Sequence, residues 1–240
     1  MAETDATGPG PVRRQIWGRR QGPGLKPARR QLLDERLPAL RITLPEQGRL
    51  DPAALFSRPM QGFRLEIGFG GGEHLAAQAK AHPELGFLGV EPFLDGVGKL
   101  VAEVEAAGLD NVRVLTDDAR LLLLVLQDRC LQRIDVLFPD PWPKLRHHKR
   151  RIVNRQTVPE MARVLVPGGE LRLATDITDY ARWMLDAALA EPRLAWAAER
   201  ASDWTVAPPD HVPTRYQAKA AREGRRPTFL RFIRDSQPVS

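Results

Sequence analysis

The chain has 240 residues, 42% of them hydrophobic and 28% charged, with a formal net charge of +6. That apolar content supports one large domain with its own core plus an appendage, and it excludes wholesale disorder. The longest purely apolar run, LLLLVL at 121–126, is far below the roughly 20 residues a membrane span needs, so no membrane partner is expected. The polar, proline-rich opening residues do not read as a secretory leader. The single cysteine, Cys130, cannot form an internal disulfide, which fits a reducing cytoplasm, and it reads as a small packed apolar residue.

In chain order, residues 1–28 hold five Gly-Pro or Pro-Gly steps and scattered bases, and they read as a flexible basic arm too polar to order alone. Residues 29–61 follow as a short amphipathic helix, ARRQLLDERL, ended by Pro38, and a linker. From Gly62 to the end, strand and helix patterns alternate. FRLEIG, GFLGVE, NVRVLT, IDVLFPD and GELRLAT read as strands. The segments beginning GGEHL, FLDGV, DARLL and DYARW, and a stretch over roughly 152–165, read as helices. This alternation predicts an α/β fold with a mainly parallel twisted sheet and helices on both faces. On such sheets ligands bind beyond the carboxyl ends of the strands, so the residues just after each strand carry the chemistry.

Bases are clustered. Three segments, Ala6–Leu33, Lys144–Arg155 and Arg215–Arg234, hold 20 of the 36 basic residues with a single acid among them, Glu223. Solvated surface is one reading of any one cluster; three in one chain point to a polyanionic partner.

The first strand–helix turn, LEIGFGGGEHL, sets Glu66 before Gly68, Gly70 and Gly72, where glycines let backbone approach a ligand. Glu91 closes the second strand and suits ribose hydroxyls; Asp118 follows the third and could serve an adenine amino group or cap its helix. A carboxylate at Glu66 would repel a pyrophosphate, and a sulfonium cofactor with an amino-acid tail suits it better. That set favours S-adenosylmethionine over a nicotinamide dinucleotide. After the fourth strand, Pro139 and Pro141 restrict Asp140 on both sides, with Trp142 beside it. Lys144, Arg146, Lys149, Arg150 and Arg151 could grip backbone phosphates. The adjacent His147 and His148 lack further ligands to complete a metal set, so no metal is expected.

LEIGFGGGEHL, FLGVE, DDA, FPDPWPKLRHHKRRIV, PGGELRLATD and TRYQAKAAREG together resemble the bacterial tRNA (guanine-N7-)-methyltransferase family over roughly residues 64–232. The resemblance implies a class I, Rossmann-like fold, S-adenosyl-L-methionine as cofactor, and tRNA as partner, with guanine 46 of the variable loop as target. It places Glu66, Glu91, Asp118 and Asp140 around the cofactor and makes Asp140 the catalytic candidate. Lys144, Asp176 and the segment Thr214, Arg215, Tyr216, Gln217 fall on the substrate side. Gln217 stands where the family more commonly has Glu, keeping an acceptor but losing the charge. Other readings are an adenosylmethionine-dependent enzyme for a small molecule or protein, and an RNA-binding module with an inactive site. The sequence leaves monomer or homodimer open.

Overall fold

The computed structural model describes residues 27–213, 217, 220 and 222–235. The arm up to residue 26, and with it Thr214, Arg215 and Tyr216, lies outside the described residues. Seven strands form one sheet: β1 Phe63–Ile67, β2 Gly86–Val90, β3 Val112–Leu115, β4 Leu131–Leu137, β5 Leu165–Thr175, β6 Leu194–Trp196 and β7 Thr228–Arg234. Their order is β3-β2-β1-β4-β5-β7-β6. The first five run parallel; β7 lies antiparallel between β5 and β6. The order reverses between β1 and β4, the switch point at which such sheets open a ligand crevice.

Alternation along the strands sorts the core into two layers. Leu65, Ile67, Ile134, Val136, Leu171, Leu173, Leu230 and Phe232 face one layer, with α4 (Ala119–Val125), α5 (Val158–Val164) and α6 (Thr178–Leu189). On the other, Phe87, Val112 and Val114 meet α2 (Glu73–Ala81) and α3 (Leu94–Ala107) through Leu75, Ala79, Leu100 and Val104. Each fully buried Leu or Phe contributes about 1.5–3 kcal/mol.

Several boundaries differ from the expected ones. Helix α1 spans Pro27–Leu40 and passes through Pro38, which lies in its last turn and forfeits only the bond back to Asp34. It docks on α3, where any Cβ at Gly98 would come 2.8 Å from Arg29. The expected linker is part of the domain: Ile42 N donates to Val114 O (2.8 Å), and Leu50 N to Val125 O (2.6 Å). The helix expected over 152–165 is shorter: residues 152–157 form a turn in which Asn154 Oδ1 accepts from Gln156 N (2.8 Å) and Thr157 N (3.1 Å), and α5 begins only at Val158.

Beyond β1, the second face of the sheet turns polar. Arg133 pairs with Asp135 (2.8 Å) and Asp210 (2.7 Å), Arg172 with Asp210 and Glu170 (both 2.6 Å), and Arg231 with Glu170 (2.6 Å). Burial disfavours the Asp210 carboxylate, but Arg172 and Arg133 outweigh it and hold the group well below the usual range.

Candidate active site

The carboxyl ends of β1, β2 and β4 bring Glu66, Glu91 and Asp140 into one crevice. Gly68 and Gly70 adopt φ of +75° and +56°, and a Cβ at either would meet no protein atom within 4 Å, so this stretch of backbone faces open space. Gly72 behaves differently. A Cβ there would come 2.7 Å from Leu100, so this expected cofactor residue serves the packing of α2 against α3. Gly96, which the sequence reading passed over, lets the loop settle: its Cβ would lie 2.0 Å from Gly70 O.

Glu91 is buried and accepts from Gly70 N and Phe93 N, both at 2.9 Å. Burial raises its pKa, the two N–H groups oppose that, and the charges of Asp140 and Glu66 add to the rise. The negative charges of Asp140 and Glu66 thus act on Glu91 at the strand ends. Asp118 caps α4 by accepting from Arg120 N (3.0 Å), and Arg120 grips its two oxygens at 2.8–3.1 Å. The capping role left open from sequence is therefore realised. Asp117, which sequence reasoning missed, is buried behind it and accepts from Asp118 N (2.8 Å).

Asp140 is solvent-accessible on its turn, yet the protein crowded around it raises its carboxyl above the ordinary value. The turn is held in an unfavourable shape. Phe138 and Trp142, two aromatic residues flanking it, have φ of +50° and +44°, at about 1–3 kcal/mol each. What restrains it is Arg151. Its Nε donates to Pro141 O (2.8 Å), and its Nη2 donates to Asp179 (2.5 Å). The guanidinium lies 4.8 Å and 5.1 Å from the ring centres of Tyr180 and Trp183. At 1% exposure, Arg151 cannot meet a phosphate, which corrects its expected place on the RNA surface: two aromatic rings from α6 draw the cation inward.

Lys144, Leu145, Arg146 and Lys149 are exposed along the 3-10 turn, and Arg150 stacks 4.8 Å from the Trp142 ring centre. Among the described residues no group of three His, Cys, Asp or Glu side chains could hold a metal. Asp176 accepts from Arg225 Nε (2.5 Å), joining the end of β5 to the segment that carries Gln217. Gln217 Oε1 lies 2.6 Å from His211 Nε2. Two further residues emerge only in three dimensions: His74, on Glu66, and His211. Cys130 packs against the main core, and burial pushes its thiol up to about 12, so it is not a nucleophile at neutral pH.

The strand order, the glycine turn and the acids at the strand ends define a class I S-adenosylmethionine-dependent methyltransferase. In keeping with that fold, a 16S rRNA methyltransferase, KamB, superposes with a TM-score of 0.55 at 18% identity, over 79% of this chain and 95% of that one. A family model described as a putative methyltransferase matches residues 61–230. The tRNA (guanine-N(7)-)-methyltransferase of Nitrobacter hamburgensis is 50% identical, covering 92% of this chain and 87% of that protein. Its counterpart in Rhodospirillum rubrum is 49% identical over 92% and 88%. This chain belongs to the tRNA (guanine-N7-)-methyltransferase family.

Proposed function

We propose that this chain methylates guanine 46 in the variable loop of tRNA, with Asp140 orienting the base and stabilising the cation formed. Family membership makes it an enzyme that transfers a methyl group from S-adenosyl-L-methionine to N7 of guanine in tRNA. That cosubstrate presents its methyl group on a positively charged sulfur. The observation that carries the reading is the convergence of Glu66, Glu91 and Asp140 beside the open backbone of Gly68 and Gly70. Such a crevice suits a sulfonium with an amino-acid tail and repels a pyrophosphate.

In this reading Glu66 meets the amino-acid end, Glu91 accepts from ribose hydroxyls, and Asp118 bounds the adenine. Guanine N7 carries a lone pair and no proton at neutral pH, so no base is needed before attack. The enzyme's task is alignment of N7, methyl carbon and sulfur, from which much of the rate can come. Positive charge moves onto the purine as the bond forms, and a fixed carboxylate at Asp140 stabilises it as it develops. Trp142 borders the base, while Lys144, Arg146, Lys149 and Arg150 meet phosphates; Asp176 and Gln217, with Thr214, Arg215 and Tyr216, complete the substrate side. A small-molecule substrate would leave that basic ridge unused. A cytoplasmic location fits a tRNA substrate, and no described helix is long and apolar enough to cross a membrane.

The test is incubation with labelled adenosylmethionine and unmodified tRNA, followed by cleavage at 7-methylguanosine. Label at position 46 alone is expected. Label on another base or nucleotide would overturn the assignment.

A further inference from the structure

We infer that His74 and His211 are positioning residues forming one bridge from the cofactor carboxylate Glu66 to the tRNA-side residue Gln217, so that tRNA and cofactor strengthen each other's binding. The inference rests on the reading of Glu66 and Gln217 given above.

The two ends of the bridge are hydrogen bonds, and the end at Glu66 is fully enclosed. Glu66 and His74 are 4% and 2% exposed, and His74 Nδ1 lies 2.8 Å from Glu66 Oε2. The His74 and His211 rings are 5.7 Å apart, tilted by 36°. Beside them lies a cavity of about 10 Å³, lined by both histidines, Asp135 and Arg172 and otherwise largely by apolar side chains such as Leu137, Leu173 and Phe229, so the two rings are linked by packing. His211 Nε2 then meets Gln217 Oε1 at 2.6 Å, and its ring packs 5.2 Å from that of Phe229. The residue before it, Asp210, is bound by both Arg133 and Arg172. The chain beside His211 is therefore anchored, and the His211 side chain turning on that anchor carries a displacement of Gln217 to His74 and Glu66.

The protonation pattern agrees with this geometry. Burial disfavours charge on His74, but Glu66 outweighs it and its pKa is raised. Burial lowers that of His211, the bond to Gln217 opposes, and the charge on His74 lowers it further. A neutral His211 donates one N–H to the amide oxygen of Gln217. The commoner Glu would instead favour the charged form of His211. Gln217 thus supplies His211 with an acceptor without adding a negative charge beside it.

The experiment is calorimetric titration of the full chain with S-adenosylhomocysteine, with and without saturating unmodified tRNA. In the native protein tRNA should tighten this ligand at least about fivefold, the lower range of allosteric couplings. His211→Ala should bring that ratio to within about twofold of unity. His211→Gln, whose amide nitrogen replaces Nε2, should restore most of it. No coupling in the native protein, or unchanged coupling in a folded His211→Ala variant, would overturn the bridge. Glu66→Gln separates the two claims: unchanged affinity without tRNA removes Glu66 from the cofactor site, whereas weakened affinity alongside intact coupling in His211→Ala rejects only the bridge.

Discussion

Around β1, β2 and β3 the second face of the sheet is sealed by apolar helices, through Leu75, Ala79, Leu100 and Val104. Over β4, β5 and β7 the same face carries Arg133, Asp135, Glu170, Arg172 and Arg231, tied together by Asp210. The first half holds its glycine turn and Glu91 by close packing and backbone N–H groups. The second half holds its loops by directional ion pairs. Buried pairs of this kind add little net stability over apolar packing, so their value here is geometric: they fix the chain that carries His211, as the Arg151–Asp179 pair fixes the strained turn.

Removing Arg151 should separate these two kinds of support most sharply. Arg151→Ala frees Pro141 O from its donor and lets the Phe138–Trp142 turn relax, and a misplacement of about 1 Å can cost on the order of a hundredfold in rate. We expect kcat to fall by about that factor while the KM for adenosylmethionine stays within about twofold. Arg151→Lys should recover little, because an ammonium cannot span Pro141 and Asp179 as a fork does. Steady-state kinetics at saturating tRNA decide this; a wild-type kcat would show that the turn holds itself.

A smaller effect is expected at Asp210. Its carboxyl is held below the usual range, so the stability it adds is present above the ordinary aspartate pKa and lost as pH falls through the lower folded value. Asp210→Asn should therefore lower Tm by a few degrees near neutrality, the carboxylate being partly exposed, with the deficit shrinking in acid. A deficit that grew toward acid pH would invert the assigned role of the ion pairs.

The same contrast explains what was legible in the sequence. The five parallel strands announce themselves as short apolar runs between helical patterns, and Glu66, Glu91 and Asp140 follow at their ends. β7 escaped because TFLRFIR carries arginines into the sheet, a pattern that makes sense only once Glu170, diagonal to Arg231 on β5, is there to pair with it. β6 is three residues long, too short for any periodicity. Arg151 is indistinguishable from its basic neighbours in LRHHKRR. Its burial depends on Tyr180 and Trp183, some thirty residues away, which no local pattern reveals. His74 likewise looks like any polar helical residue until the β1–α2 turn folds it back onto Glu66.

The central claim, that Asp140 acts by charge on a purine becoming cationic, is tested most directly by the single-turnover rate of methyl transfer to unmodified tRNA. With cofactor and tRNA saturating, Asp140→Asn should react about 10²–10³-fold more slowly, the usual loss when one preorganised electrostatic group is removed. In the native protein the rate should fall as pH drops through an aspartate pKa raised above its ordinary value by the surrounding protein. A near-native rate for Asp140→Asn, with the acid limb unchanged, would contradict the account.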